Sequence, residues 1–368
     1  LNINDFYLLF SMMLRMKYNL ILLLFIAMCP FDVSAQNSPP KPLVQFKKSQ
    51  NLGLPLDCQL EKTCWVMNYV DFDNNDTFYT DPNCLDRTYD THKGTDFALL
   101  DEKSMNDGVP VLSVKDGTIL RIRDGEPDNW KTKADLDKIK TDRKECGNAI
   151  LITHDDDTQS VYCHLRQNSI IVKKDQRIKK GDTIAMVGMS GLTEFPHLHY
   201  GYLKNKKIID PFTGRSIETQ CGLKDAKSLW DKGLGLNYAP LNIQSAGFST
   251  QVPTLDNLGK DAQGSTELTF KDDKIIFWTI LLGVRLNDEV SIEIIDANNN
   301  PIVTEKITQD KNRARQLYYI GKKLDKTKLP EGAYTGIVKI KRAQEGVPPI
   351  EQSKFSTILV TKSLPITP

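Results

Sequence analysis

Five histidines serve the whole chain: His92, His154, His164, His197 and His199. Imidazole is the side chain best suited to binding a metal or moving a proton near neutral pH, so rings pooled in one third of a sequence point to a site there. Two of them lie in His197-Leu198-His199. In a strand, residues i and i+2 point to the same face, so both rings would line one surface. Upstream, His92-Lys93-Gly94-Thr95-Asp96 sets an imidazole and a carboxylate four residues apart. An even spacing in extended chain puts these on one face as well. A helix would also align them, but Gly94 and β-branched Thr95 favour an extended or irregular course. Zinc takes imidazole and carboxylate ligands, and a catalytic site uses three protein ligands with one position kept for water. His92, Asp96 and one member of the 197/199 pair supply that set, whereas His-x-x-x-Asp alone is more often an ordinary surface pair and neither motif alone decides for a metal. No His-Glu-x-x-His is present, so no glutamate is marked as the base, and paired imidazoles with an ordinary pKa of about 6.5 can share the proton work. His154, ahead of Asp155-Asp156-Asp157, reads as structural.

These groups need short extended elements to hold them. Segments 109–114, 118–123, 148–154, 159–165, 183–188 and 197–203 are rich in Val, Ile, Leu and Tyr and are divided by turn signals such as Asp116-Gly117 and Lys180-Gly181-Asp182. They predict an antiparallel, mostly β domain. Residues 124–145 interrupt the pattern with a charged stretch around Trp130, which reads as an exposed, partly helical insertion and a solvated loop rather than a substrate lid. Residues 58–90, rich in Asp, Asn and aromatics, look loop-like and held by cysteines. After a Gly, Ser, Asn and Pro rich linker over 222–262, segments 266–270, 274–282, 289–295, 315–320, 333–341 and 354–361 alternate as short strands, which fits a small β-sandwich over 263–361. That half has no His and no Cys, so it is expected to be a docking or spacing module separable from the chemistry.

His92-Lys93-Gly94-Thr95-Asp96-Phe97, then Tyr162-Cys163-His164-Leu165, then Pro196-His197-Leu198-His199 resemble, in order, the three motifs of lysostaphin-type (LytM-type) zinc peptidases, which cut peptide crosslinks in bacterial peptidoglycan. The resemblance spans residues 90–212 within a peptidase domain expected over 58–221. It implies an antiparallel β-sheet peptidase fold, one Zn2+ held by His92, Asp96 and His199, and His164 and His197 acting on a peptidoglycan peptide from the same cleft. Small residues commonly precede the last motif in this family, whereas this chain has Thr193-Glu194-Phe195; a turn-and-packing role is expected for them. Asp210 after the last motif is open to two readings, orienting a ligand imidazole or forming a turn. Two other functions fit parts of the sequence. A non-catalytic cell-wall-binding regulator would keep the fold without the ligands, but all five positions are present. A biotinyl- or lipoyl-type carrier would explain the hairpin at 178–188 and leave His92, Asp96 and His199 unexplained.

The formal net charge is +1 in 368 residues, which gives no electrostatic footprint for nucleic acid. A composition of 40% hydrophobic and 26% charged residues excludes a disordered, collagenous or multi-spanning chain. Counting from Met16, Lys17 supplies a positive start, Leu20 to Ala27 an apolar stretch and Val33-Ser34-Ala35 a small-residue cleavage site, so residues 1–35 are expected to be a secretory signal peptide and residues 36–57 a tether. The apolar run is too short for a spanning helix, and no transmembrane span is expected once it is removed. An exported location, periplasmic or extracellular, follows. Six cysteines remain, Cys58, Cys64, Cys84, Cys146, Cys163 and Cys221, an even number that predicts disulfides with Cys64 free to pair with either Cys58 or Cys84.

Overall fold

The computed structural model describes residues 51–73, 78–269, 272–325, 330–343 and 349–361. The expected signal peptide and most of the expected tether lie outside those residues. Ten strands build the first half: β1 (Cys64–Asn68), β2 (Thr95–Leu99), β3 (Pro110–Leu112), β4 (Gly117–Arg123), β5 (Asn148–His154), β6 (Thr158–Leu165), β7 (Arg177–Ile178), β8 (Thr183–Met186), β9 (His197–Lys204) and β10 (Lys207–Ile208). Eight of them form one sheet in the order β1-β2-β9-β6-β5-β4-β7, with β10 paired to β9, while β3 and β8 pair separately. Every ladder in this half is antiparallel.

The alternation of side chains decides which face of the sheet is core. Phe97, Leu198, Tyr200, Tyr162, Ile150 and Ile152 are fully buried in one cluster with Val111 and Ala185 of the small sheet. Their neighbours in sequence therefore point to the opposite face, among them Asp96, His197 and His199. A slip of one residue would exchange core and site. Between β4 and β5 the insertion carries α2 (Lys133–Thr141), whose Thr132/Asp135 capping box satisfies its first turn and which buries no residue. The shorter α1 (Glu102–Asp107) follows β2, capped by Asp101. Trp130 of the insertion donates its indole N–H to Glu102 at 2.5 Å.

The second half is a β-sandwich. One sheet is three-stranded, in the order β11 (Asn242–Ser249), β13 (Lys274–Val284), β16 (Arg313–Lys323); the other runs β12 (Glu267–Leu268), β18 (Ile350–Val360), β17 (Gly332–Arg342), β14 (Glu289–Ile295), β15 (Pro301–Thr308). Ile275, Phe277 and Leu281 of the first sheet face Val290, Ile292, Tyr334, Val338 and Ile358 of the second. The segment expected as a linker contributes β11, buried along most of its length, together with α3 (Leu255–Lys260). Its Gly and Ser content resembles a tether, but the stretch that forms β11 is mostly buried.

A third cluster joins the halves. Trp65 and Met67 of β1 and Ala98 of β2 pack on Trp278, Ile280 and Leu282 of β13, with Leu258 of α3, Ala262, Leu100, Phe195 and Leu317 around them. β13 is thus buried on both faces, which accounts for its unbroken apolar run Ile275-Ile276-Phe277-Trp278. Ala98 lies directly opposite His197 in the ladder, so the second half sits on the same face of the sheet as the histidines. No described helix is long and apolar enough to cross a membrane.

Candidate metal centre

β2 and β9 pair so that Asp96 lies directly opposite His199, which puts their side chains on one face about 5 Å apart at Cβ. His92 comes to the same point from the turn before β2. Its Nε2 lies 3.0 Å from Asp96 Oδ1 and 3.1 Å from His199 Nδ1, and that Nδ1 lies 2.9 Å from the same carboxylate oxygen. The triangle of two nitrogens and one oxygen has nearly equal edges. A tetrahedral ion with bonds of 2.0–2.1 Å spaces its ligand atoms about 3.3 Å apart, so the trio fits three corners of a zinc site after a small expansion. All three residues are buried.

Each group is fixed by a neighbour. His92 Nδ1 lies 2.6 Å from the Tyr69 carbonyl; a carbonyl can only accept, so Nδ1 carries the proton and Nε2 presents its lone pair to the centre. Asp71 holds the turn that bears His92, its N–H donating to His92 O at 2.8 Å and its carboxylate accepting from Thr91 N at 2.9 Å. Asn68 donates to Asp96 Oδ2 at 3.0 Å, which leaves Oδ1 for the rings. A register shift between Val66 and Asn68 brings Asn68 opposite Asp96. Burial pushes the Asp96 carboxyl up, but the imidazoles of His92 and His197 and the hydrogen bonds from His199 and His92 outweigh it and hold the group well below its usual value. The centre therefore offers one anion and two imidazoles, the donor set a divalent zinc ion takes.

His164 and His197 close the cleft beside this trio. Their ring centroids are 4.6 Å apart, and His164 is 6.0 Å from His199. Strict alternation along β6 would turn His164 away, because Cys163 is the residue opposite His199. Two residues of β6, Cys163 and His164, instead face one of β5, and His164 adopts φ 58°. This is a β-bulge, the device that re-aims a side chain beside a site. The bulge is tied by the Cys146–Cys163 disulfide and by His164 N–H donating to Cys146 O at 2.9 Å. His164 Nδ1 donates to Ser190 O at 2.8 Å and His197 Nδ1 to Phe195 O at 2.9 Å, so both rings keep their Nε2 lone pairs for the cleft. Burial lowers the pKa of both, that of His164 further, with His197 and His199 adding to it.

The remaining sequence candidates lie apart from the trio. His154 bonds Asp116 O at 3.1 Å and Ser160 Oγ at 2.9 Å, and burial lowers its pKa to about 4. Asp210 accepts from Thr213 N and Oγ1 at 2.8 and 2.7 Å, a turn role, with burial raising its pKa to about 6. Glu194 is exposed, and Phe195 stacks near His197 with centroids 4.6 Å apart. Asn68, Asp71 and the carbonyls of Tyr69 and Ser190 are supports that sequence reasoning missed. A polar Asn inside the apolar run Cys64 to Val70 was the one available signal.

Residues 90–211 match the model of Peptidase family M23, and the chain carries a domain of that family. An uncharacterized metalloprotease of Haemophilus influenzae is 30% identical over 136 residues, covering 37% of this chain and 23% of its own length. Peptidoglycan DD-endopeptidase ShyB of Vibrio cholerae is 31% identical over 119 residues, covering 32% of this chain and 22% of its own. The chain spans about a quarter of the length of the curated relatives it matches. Among solved structures, the catalytic domain of lysostaphin from Staphylococcus simulans is 21% identical, covers 39% of this chain and 85% of that one, and has a TM-score of 0.25.

Proposed function

We propose that the protein is a zinc-dependent endopeptidase that hydrolyses peptide bonds of peptidoglycan outside the cytoplasm. The observation that carries the reading is the convergence of His92 Nε2, Asp96 Oδ1 and His199 Nδ1 from two separate stretches of chain, with His164 and His197 anchored through Nδ1 beside them and His197 Nε2 3.7 Å from Asp96 Oδ1. A zinc ion held by His92, Asp96 and His199 would polarise a peptide carbonyl and acidify a water. His164 and His197 supply the proton work. Each ring is buried and anchored through Nδ1, so each Nε2 can take a proton from a water and return it to a departing amine. Burial lowers the pKa of both rings, which favours the neutral form that can accept a proton. Three disulfides, Cys58–Cys64, Cys84–Cys221 and Cys146–Cys163, support an oxidising location. Relatives named as peptidoglycan DD-endopeptidases support the substrate class.

The test is zinc content together with digestion of purified sacculi by wild type, His199→Ala, His164→Ala and His197→Ala. His199→Ala is expected to lose both zinc and digestion. His164→Ala and His197→Ala are expected to keep zinc while digestion falls at least roughly 100-fold, the usual weight of a general acid or base. Full digestion by His164→Ala and by His197→Ala would remove the catalytic assignment.

A further inference from the structure

We propose that Arg315, on the second half of the molecule, binds a carboxylate of the peptide substrate. The inference rests on the peptidase reading and extends it to a part of the chain with no role in that chemistry. Arg315 lies opposite Leu282, and Leu317 opposite Ile280, on the row of β16 that packs toward the first half. Leu317 belongs to the cluster that includes Phe195, whose ring lies 4.6 Å from His197 by centroid. Just before β16, Asn312 bonds the carboxylate of Asp86, and Arg285 Nε lies 3.2 Å from it. Asp86 is three residues before Tyr89, which stacks on His92 at 4.3 Å. Arg315 thus lies on β16 between Asn312, which holds the segment leading to His92, and Leu317, which packs on the same cluster as Phe195 of the loop before His197 and His199.

The side chain itself is a charge without a counter-charge. Arg315 Nε is buried and has no hydrogen-bond partner, and among the described residues no carboxylate pairs with its guanidinium. β16 reads Arg-Ala-Arg-Gln-Leu-Tyr-Tyr-Ile-Gly-Lys-Lys, with no acidic residue. Burial alone lowers the pKa of the group. An unpaired guanidinium taken partly out of water is costly, and the cost is recovered when a planar carboxylate meets its fork of donors. Arg313, two residues away on the same row, is paired with Asp310 at 3.6 Å, so the unmet charge belongs to Arg315.

The experiment uses the full zinc-loaded chain as wild type, Arg315→Gln and Arg315→Lys. The probes are the cross-linked stem-peptide dimer released from peptidoglycan and the same dimer with its free carboxyl groups converted to amides. Arg315→Gln is expected to raise KM for the carboxylate dimer by roughly tenfold or more, the range for a lost charge-assisted hydrogen bond. Zinc content and kcat stay level, the amidated dimer is treated alike by both proteins, and Arg315→Lys recovers part of the loss. Equal KM on the carboxylate dimer, or the same loss on both dimers, overturns the proposal, the second outcome assigning Arg315 to packing. Calorimetric binding of the two dimers separates this from failure of the peptidase reading. Should wild type cut neither dimer, a preference for the carboxylate form that vanishes in Arg315→Gln still supports the site, and absence of that preference overturns it.

Discussion

A Cβ added at position 94 would lie 2.6 Å from His199 Nε2 and 2.6 Å from Tyr200 O, so the chain before β2 passes over the His199 ring where only a glycine fits. Gly94→Ala is expected to displace that ring and weaken zinc binding by roughly 10- to 100-fold, as loss of a supporting group does. Titration against a chromophoric chelator checks it, and unchanged affinity would show that the ring needs no such clearance. Strand alternation made His197 and His199 legible as a pair on one face, and the even spacing of His92 and Asp96 pointed to the right partners although His92 reaches them from a turn; His164 enters through a bulge, so only the resemblance named it. Asn68 was not legible, since its position opposite Asp96 depends on a bulge at Met67 that no residue type announces. The anchoring carbonyls of Tyr69, Phe195 and Ser190 are backbone atoms and leave no trace in composition.

At the scale of elements, the bulge in β6 decides whether His164 enters the cleft. The Cys146–Cys163 bridge closes a loop of 17 residues around it, so replacing both cysteines by serine is expected to cost about 3 kcal/mol of stability. The same change should reduce turnover while zinc stays bound, because the trio does not depend on the bulge. Denaturant unfolding, zinc analysis and peptide hydrolysis measure the three effects, and full turnover would mean that β6 holds His164 without the bridge. Most strands were readable from short β-branched runs bounded by turns, but β1, β11 and β15 were not. β1 sits in a segment whose Asp and Asn content looks like loop, and β11 in one whose Gly and Ser content looks like linker; both become strands through partners distant in sequence. β5 offers a separate test, because His154 is buried as the neutral ring, with its pKa lowered from an ordinary 6.5 to about 4. The unfolded chain binds that proton first, so the contribution is present above pH 6.5 and is lost as pH falls toward 4. Asp210 acts in the opposite sense, its pKa raised by burial from 3.8 to about 6, and masks the slope in the wild type. His154→Gln should therefore gain about 3 kcal/mol relative to wild type between pH 7 and pH 4. Parallel denaturation curves at the two pH values measure it, and an unchanged difference would show that His154 titrates normally.

For the whole molecule, the third cluster makes the two halves one body. Trp65, Met67 and Ala98 would be exposed without β13, and each large apolar side chain so uncovered forfeits about 1.5–3 kcal/mol. Removing residues 240–361 is accordingly expected to lower the unfolding temperature of the remaining half and its turnover on a small soluble peptide, against the separable module that the absence of histidine in that half suggested. A truncated protein as stable and as active as the full chain would restore that separable role. The apolar run of β13 held the clue, since a strand of a free-standing sandwich shows one polar face and this one shows none. The expected signal peptide lies outside the described residues; N-terminal sequencing of the mature protein, expected to begin at Gln36, tests it and the expectation of export.

The central claim is that two imidazoles and one carboxylate hold a zinc ion that the hydrolysis requires. Release of soluble peptide from purified sacculi, followed before and after chelation and again after zinc is restored, tests it most directly. The account predicts that release stops on chelation and returns with zinc in the wild type, and that His199→Ala shows none under either condition. Release that continues undiminished after zinc has been removed would contradict it.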